Sequence, residues 1–429
     1  MRVVVLLCAA MIACGGDDSS AADAGNDAPQ DVAPADVHVA ETAPPTPQVL
    51  DVAAGAQHTC AIVVYGGQYV TYCFGADAAV GGTKQGVLAV ASTGLGAAPA
   101  FVTIASSHGA GHTCGIASDK KVWCWGDDTL GQCGQGNPGP TVAAPSPALD
   151  FTLSVAKATA IAVGTSSSCM VRNQDGKLTC WGDNTKCQDD LWDGSGCSAG
   201  PSAAVVATDQ DGVFKTPMLA GLGAAHGCVA ADPAGGGAST LFCFGDNASL
   251  ESGPSGKSIT TPAAMIASPR KVISIAAGDA HTCFITDSPH ELHCFGKNDV
   301  GQASPASATS PIDPAGATLV ALPGSALPLV VAARADETCV ADVTGALFCF
   351  GQGHGTGIDV IAGVKDVGKI AMGAGHTCVI GHLPSAAVSD PGALICWGEN
   401  TNGEAGQTAG TTVATPTAVA IPGAAPSAP

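Results

Sequence analysis

Positive charge is scarce in this chain: 16 of its 429 residues are Lys or Arg against 36 Asp or Glu, for a formal net charge of −20. A nucleic-acid partner needs a basic stripe, so that class is excluded, and anionic lipid headgroups are disfavoured for the same reason. Aromatic side chains are only 4% of the residues, which leaves a thin core that some other device must reinforce. The apolar run at 3–13 is 11 residues long, too short to cross a bilayer as a helix. Enzyme signatures are missing as well. There is no nucleophile elbow, no His-Glu-x-x-His, no phosphate-cradling glycine loop followed by Lys, and no calcium loop. Motifs therefore assign no catalytic residue, no metal ligand and no cofactor.

The two ends carry little that could fold. Met1-Arg2, the apolar run and then Cys14-Gly15-Gly16 follow the grammar of an export signal. The string Met11-Ile12-Ala13-Cys14 resembles a bacterial lipobox, in which Cys14 becomes the lipid-bearing first residue; the alternative is an ordinary cleaved signal whose cysteine is incidental. From 15 to 50 the chain is rich in Ala, Asp and Pro, with seven acidic residues and no Lys, Arg or aromatic, so it cannot bury enough surface to order itself. The expected organisation is a signal peptide at 1–14, a disordered acidic tether at 15–45, a folded region at 46–423 and a disordered tail at 424–429. From Asp51 onward there are 15 basic and 29 acidic residues, a balance that favours solubility and names no partner.

Against these absences stand 19 cysteines and 57 glycines. So many cysteines fit an oxidising compartment. Fourteen fall into seven pairs: Cys60 with Cys73, Cys114 with Cys124, Cys169 with Cys180, Cys228 with Cys243, Cys283 with Cys294, Cys339 with Cys349, and Cys378 with Cys396. The second member is always followed by Phe-Gly or Trp-Gly. Gly stands five residues before the first member in six copies, and His two residues before it in five: His58, His112, His226, His281 and His376. The second cysteines recur every 47 to 63 residues, close to the period of β-propeller blades and longer than that of helical solenoids.

One copy shows how a repeat becomes a blade. In the fifth, 262–266 is a short extended run behind a proline, 271–277 alternates, 281–286 and 291–295 form a hairpin, and 296–299 leads onward. That gives four short strands, with the proline-led one first. Opposed residues of adjacent antiparallel strands come within disulfide reach, so each pair is expected to staple the third and fourth strands of its blade. Zinc is excluded by spacing, since its thiolates usually lie two to four residues apart. Cys187 and Cys197 flank a short insertion and form a possible extra disulfide, leaving Cys133 free.

The strings Gly111-His112-Thr113-Cys114 and Trp123-Cys124-Trp125-Gly126, followed by Asp128-Thr129-Leu130-Gly131-Gln132, resemble the repeats of the regulator of chromosome condensation family. A related loop recurs as Asn298-Asp299-Val300-Gly301-Gln302. The resemblance covers all seven copies and implies an all-β, seven-bladed β-propeller of four-stranded blades. Departures are Ser167 in the third copy, and Arg334 and Glu337 in the sixth. The first copy lacks a proline-led strand, whereas 415–421 supplies an orphan one. The N- and C-terminal segments are therefore expected to share one blade.

Residues related by pseudo-symmetry spread around a ring, so the five histidines read as structural hydrogen-bonding groups rather than a metal or catalytic centre. The nuclear exchange activity of the founding family member conflicts with export and disulfides. The leading expectation is a monomeric, cell-envelope-tethered protein-binding or scaffold module, touching membrane only through lipid on Cys14. The alternative is a secreted hydrolase or lyase with a loop-built site near the axis. Partner surfaces are sought in the longest insertions, at 189–199, 233–239, 304–329 and 383–392. Asp189, Asp190, Trp192 and Asp193 form the candidate binding loop.

Overall fold

Each Cys-aromatic-Gly triplet ends a strand because its glycine adopts a backbone conformation that side chains resist. Gly296 has φ +94°, and a Cβ there would lie 2.6 Å from the Ala280 carbonyl oxygen. The same left-handed region is occupied at Gly75, Gly126, Gly182, Gly245, Gly351 and Gly398, so the chain turns at the equivalent point of every repeat. The computed structural model describes residues 46–76, 85–90, 99–136, 138–149, 154–173, 176, 178–187, 201–206, 216–232, 239–254, 259–267, 270–307, 309–386 and 391–422.

Seven four-stranded antiparallel sheets follow one another along the chain. Blade 1 holds β1 (Gln48–Ala54), β2 (His58–Tyr65), β3 (Gln68–Gly75) and β4 (Gln85–Val90); blade 2 holds β5 (Phe101–Ala105), β6 (His112–Ala117), β7 (Val122–Asp127) and β8 (Thr141–Pro147). Blade 3 holds β9 (Ala158–Val163), β10 (Ser167–Arg172), β11 (Leu178–Asp183) and β12 (Pro201–Val206); blade 4 holds β13 (Thr216–Leu222), β14 (His226–Asp232), β15 (Thr240–Gly245) and β16 (Ile259–Ala267). Blade 5 holds β17 (Val272–Ala277), β18 (His281–Thr286), β19 (Glu291–Gly296) and β20 (Thr318–Val320); blade 6 holds β21 (Pro328–Arg334), β22 (Glu337–Asp342), β23 (Leu347–Gly351) and β24 (Ile358–Val360). Blade 7 holds β25 (Lys365–Met372), β26 (His376–His382), β27 (Ala393–Gly398) and β28 (Val413–Ala418). The first strand of each blade lies beside that of the next, and β25 lies beside β1, so the blades form a closed seven-membered ring. Among the described residues no helix is long and apolar enough to cross a membrane.

Every residue of the second strands β6, β10, β18 and β22 is buried. These strands are covered on both faces by neighbouring blades, which erases the in-out alternation of a half-buried strand. All seven cysteine pairs are disulfides, with Cα atoms 4.0 to 4.1 Å apart and directly opposed in register. They fasten the second strand to the third. Closing a loop of this length contributes about 3 kcal/mol in the chain-entropy picture. Cys133 is free and buried.

The strand phase expected from sequence is corrected by one position. Pro262 lies in β16, which pairs with β15 as the outer strand of blade 4, and is not the first strand of blade 5. Proline lacks the N–H that a ladder requires and is tolerated on an edge strand as readily as at a strand start, so sequence alone could not separate the two. The shared blade is corrected for the same reason. β28, with Pro416, pairs with β27 as the outer strand of blade 7, while blade 1 is completed by its own β4. The C-terminal segment still reaches blade 1, by packing rather than pairing. Val419 is buried in a cluster with Phe74, and the Tyr65 hydroxyl donates to the Pro422 carbonyl at 2.8 Å.

Candidate functional site

The repeat histidines form a belt between blades. His226 Nε2 lies 2.8 Å from Thr282 Oγ1 of the next blade, and that hydroxyl donates to the Glu251 carbonyl at 3.3 Å. The pattern returns at His281 with Thr338 (2.8 Å), His112 with Ser168 (2.8 Å), His58 with Thr113 (2.6 Å) and His376 with Thr59 (2.8 Å). Burial pushes His226 down to about 4 and His281 down to about 3, so both are neutral near pH 7. Glycine is required beside them because a Cβ at Gly278 would overlap the His281 ring.

The loop after the third strand completes the belt and explains the Asn-x-x-Gly-Gln motif. In blade 5, Asn298 Oδ1 accepts from the Ala303 N–H at 3.0 Å, and Gln302 Oε1 accepts from the Val300 N–H at 3.0 Å. The loop thus closes on itself and turns the Gln302 carbonyl toward blade 6, where Thr338 donates to it at 2.8 Å.

Two seams depart from this arrangement. Between blades 3 and 4 both partners are replaced, His by Ser167 and Thr by Gly227. Leu222 and Phe244 fill the space, in one cluster with Ala162, Val171 and Leu178 of blade 3. Between blades 6 and 7, Arg334 stands where glycine is usual, and its Nη1 donates to the His376 carbonyl at 2.9 Å. Its Nε donates to Glu337 at 2.7 Å. His354 lies between Glu337 (3.1 Å) and Asp359 (2.8 Å). Burial raises the Glu337 carboxyl, but the His354 hydrogen bond and the Arg334 guanidinium outweigh it and hold the group below the usual carboxylate range. The bond to Glu337 raises His354. Glu337, Cys349 and His354 bring ligand-type atoms within 4.8 Å of one another, yet Cys349 is tied to Cys339. A zinc set with a thiolate is not available there.

Sequence reasoning missed the axis of the ring. A channel of about 320 Å³ is lined by the first strands of all seven blades. In blade 2 the turn after β5 is two residues longer than its counterparts: Ala105 stands opposite Cys114 as Ala53 stands opposite Cys60, and Ser106, Ser107 and His108 separate Ala105 from Gly109 where Ala54 alone separates Ala53 from Gly55. His108 is buried and its Nε2 meets Asp279 of blade 5 at 2.8 Å. Blades 2 and 5 are three places apart in a ring of seven, so this insertion lies across one end of the channel. The hydrogen bond to His108 holds the Asp279 carboxyl below the usual range. Asp336 nearby accepts from Lys297 at 2.9 Å and Gln302 at 2.8 Å. Toward the opposite end Asp51 accepts from the Thr103 hydroxyl (2.7 Å) and the Ile104 N–H (3.1 Å) and faces Lys369 at 3.4 Å. The only advance signal for the plug was the lengthened turn in one copy.

Of the sites expected from sequence, Cys14, Cys197, Asp189, Asp190, Trp192 and Asp193 lie outside the described residues. Cys187 is disulfide-bonded. The 304–329 insertion presents Leu319, Leu327 and Leu329 to solvent. The Leu327 carbonyl accepts from the Val343 N–H at 2.9 Å, and Val343 is exposed too. A second concavity, about 710 Å³, lies between the loops near Val300 and Gln352.

Residues 101–132 and 272–302 match the family model for the regulator of chromosome condensation (RCC1) repeat. Two blades carry the RCC1 repeat. These are blades 2 and 5, matched from the first strand into the loop after the third. Human WBSCR16 has a similar structure, with TM-score 0.64 and 17% identity over 79% of this chain and 86% of that one. Yeast RCC1 (Prp20), solved with Kap60 bound, gives 0.62 and 14% over 89% and 86%. Another structure of Prp20p from Saccharomyces cerevisiae gives 0.59 and 15% over 75% and 77%. At these identities the likeness is one of fold. No match is found among curated protein sequences.

Proposed function

We propose that this RCC1-like propeller is a protein-binding or scaffold module tethered to the cell envelope. The observation that carries the binding role is the exposed apolar cluster of Leu327, Leu329 and Val343, because adjoining apolar side chains left in water mark interaction surfaces. The repeat chemistry, in contrast, is spent on holding blades together. Yeast Prp20, whose fold this chain shares, has been solved with Kap60 and described as binding Gsp1p and histones, which supports a protein partner for a ring of this type. Seven disulfides fit an oxidising compartment, and lipid on Cys14 would supply the tether.

The binding role is tested by comparing wild type with a Leu327→Asp, Leu329→Asp variant of unchanged melting temperature in pull-downs from envelope extract. A protein retained by wild type and lost with the variant is expected; identical sets from both, or none, would sink the reading. Cys14→Ser should release the protein from the membrane fraction. If it fractionates unchanged, the tether is wrong.

The alternative, a hydrolase or lyase with a loop-built site near the axis, gains support from one feature, the His108–Asp279 pair. Among the described residues no hydroxyl or thiol bonds to that histidine's other nitrogen. The binding module therefore remains the conclusion.

A further inference from the structure

The loop after the third strand of blade 6 is built unlike its counterparts. From Gly351 to Gly357 it reads Gly-Gln-Gly-His-Gly-Thr-Gly, and β24 begins at the next residue. Blades 5 and 7 place Asn298 and Asn400 two residues after the strand-ending glycine, where blade 6 has Gly353. Those asparagines close their loops with amide groups that do not titrate. Asn298 Nδ2 donates to the Ser304, Ser307 and Thr309 carbonyls, and Asn400 Nδ2 to that of Thr408. In blade 6 a Cβ at Gly353, Gly355 or Gly357 would meet nothing within 4 Å, so packing against these positions does not hold the loop. Its backbone is tied to the turn before β22 where the Gln352 N–H donates to the Asp336 carbonyl at 2.8 Å.

His354 supplies the side-chain tie. Its Nε2 lies 3.1 Å from Glu337 Oε1 and its Nδ1 2.8 Å from Asp359 Oδ2. A carboxylate can only accept, so both contacts are hydrogen bonds at once only when both ring nitrogens carry a proton. The neutral ring has one N–H, and its other nitrogen would turn a lone pair on a carboxylate. The two partners differ in what they lose. Glu337 is buried and also accepts from Arg334 Nε, whereas the Asp359 side chain is 56% exposed and can bond to water instead. The charged groups around the ring are Arg334 from β21, Glu337 from β22 and Asp359 from β24. Cys349 of β23 is tied in its disulfide, and Asp336 and Asp299 nearby accept from Lys297 and Ser310. In keeping with this arrangement, the bond to Glu337 raises His354.

We propose that His354 is a proton-operated latch on the loop at 351–357. Protonated, it clamps the loop between Glu337 of the second strand and Asp359 of the fourth; deprotonated, it keeps its bond to the buried Glu337, releases Asp359 and frees the loop to move. Gln352, Gly353, Gly355 and Thr356 form one wall of the concavity of about 710 Å³, and Val300 and Pro305 belong to the other. The same proton therefore sets the shape of that concavity, fixed below the folded titration point of His354 and loosened as pH rises through it.

The test uses the full chain. Nitrogen NMR should show both ring nitrogens of His354 protonated at about pH 6, in an imidazolium that titrates above the ordinary histidine value near 6.5. Amide hydrogen exchange, corrected for the intrinsic effect of pH, should show protection across 351–358 falling about tenfold or more between about pH 6 and pH 9, as for loss of a hydrogen bond to a charged group. The Asn400 loop should keep its protection over the same range. His354→Gln should flatten the pH dependence at 351–358, and Asp359→Asn, an exposed change on the outer strand, should move the His354 titration and the loop's transition together to lower pH. Should either variant misfold, the two wild-type measurements still decide. A His354 that is neutral at about pH 6, protection at 351–358 that does not change with pH, an equal loss in the Asn400 loop, a transition kept in His354→Gln, or one left in place by Asp359→Asn would each overturn the proposal.

Discussion

The seam between blades 5 and 6 and the seam between blades 3 and 4 close the same gap by different physics. The first joins His281 to Thr338 and Thr338 to the Gln302 carbonyl, so it is polar, directional and dependent on a neutral imidazole. The second has neither partner and is filled by Leu222 and Phe244, so its side chains meet by packing, beside one backbone bond from the Thr165 N–H to the Gly223 carbonyl at 3.3 Å. A seven-fold ring needs equal spacing at every seam and leaves the bond type free. The seam between blades 6 and 7 takes a third route, with an ionic Arg334–Glu337 pair in place of the glycine and histidine.

Acid should divide these seams most strongly. Folded His226 and His281 titrate at about 4 and about 3, below the ordinary value near 6.5. For a group lowered by folding, the unfolded chain takes up protons first, so stability falls as pH drops below about 6.5. Each histidine contributes about 1.4 kcal/mol per pH unit, or roughly 6 kcal/mol for the pair by pH 4. Hydrogen exchange between pH 7 and pH 4 should show the 4–5 and 5–6 seams opening while the 3–4 seam keeps its protection. Equal loss at all three would erase the distinction.

Arg334→Ala comes next. It leaves the buried Glu337 with His354 as its partner, and a loss of about 3 kcal/mol is expected in denaturant melts. The cluster also has its own pH window. His354 is raised, so its contribution is complete below the ordinary histidine value and is lost as pH rises through its folded value; Glu337 is lowered, so its contribution is lost as pH falls through its folded value. In Arg334→Ala the acid limb should move to higher pH, and a limb unchanged from wild type would show that Arg334 does not hold Glu337.

Gly227→Thr, which writes the usual residue into the packed seam, should destabilise by about 2 kcal/mol rather than repair it. The new Cβ would lie within 2.7 Å of Phe244 Cζ, and combining it with Ser167→His should not recover the loss. Recovery in the double variant would mean that the polar belt could have been used there.

The smallest contrast is between His281→Ala and Ser167→Ala. The first removes an interblade bond and should cost about 2 kcal/mol; the second should change thermal melting by less than about 0.5 kcal/mol. Similar costs would indicate that Ser167 makes a bond equivalent to the histidine's.

Much of the architecture was legible before any coordinates. The Cys60–Cys73 type of pair, with its following aromatic and glycine, marks a hairpin, and the recurrence of that hairpin marks a blade. The departures at Ser167, Arg334 and Glu337 were visible as well, but not their meaning, because each is compensated by a residue in another blade. Gly227 and Leu222 explain Ser167, and His354 together with the His376 carbonyl explains Arg334 and Glu337. Strand phase was read wrongly at Pro262 and Pro416 because a missing N–H is acceptable at a strand start and on an outer edge alike.

By itself the sequence determined the number of repeats, their β character, the seven disulfides and the acidic balance, since each depends on neighbours within one repeat or on composition. Only the tertiary structure decided how the ring closes, with the C-terminal strand kept in blade 7 and Val419 packed beside Phe74. It also decided that His108 crosses the axis to Asp279, 171 residues away. The reason is geometric: closing the ring brings together residues from blades that are not neighbours in the chain, and no local pattern encodes that distance.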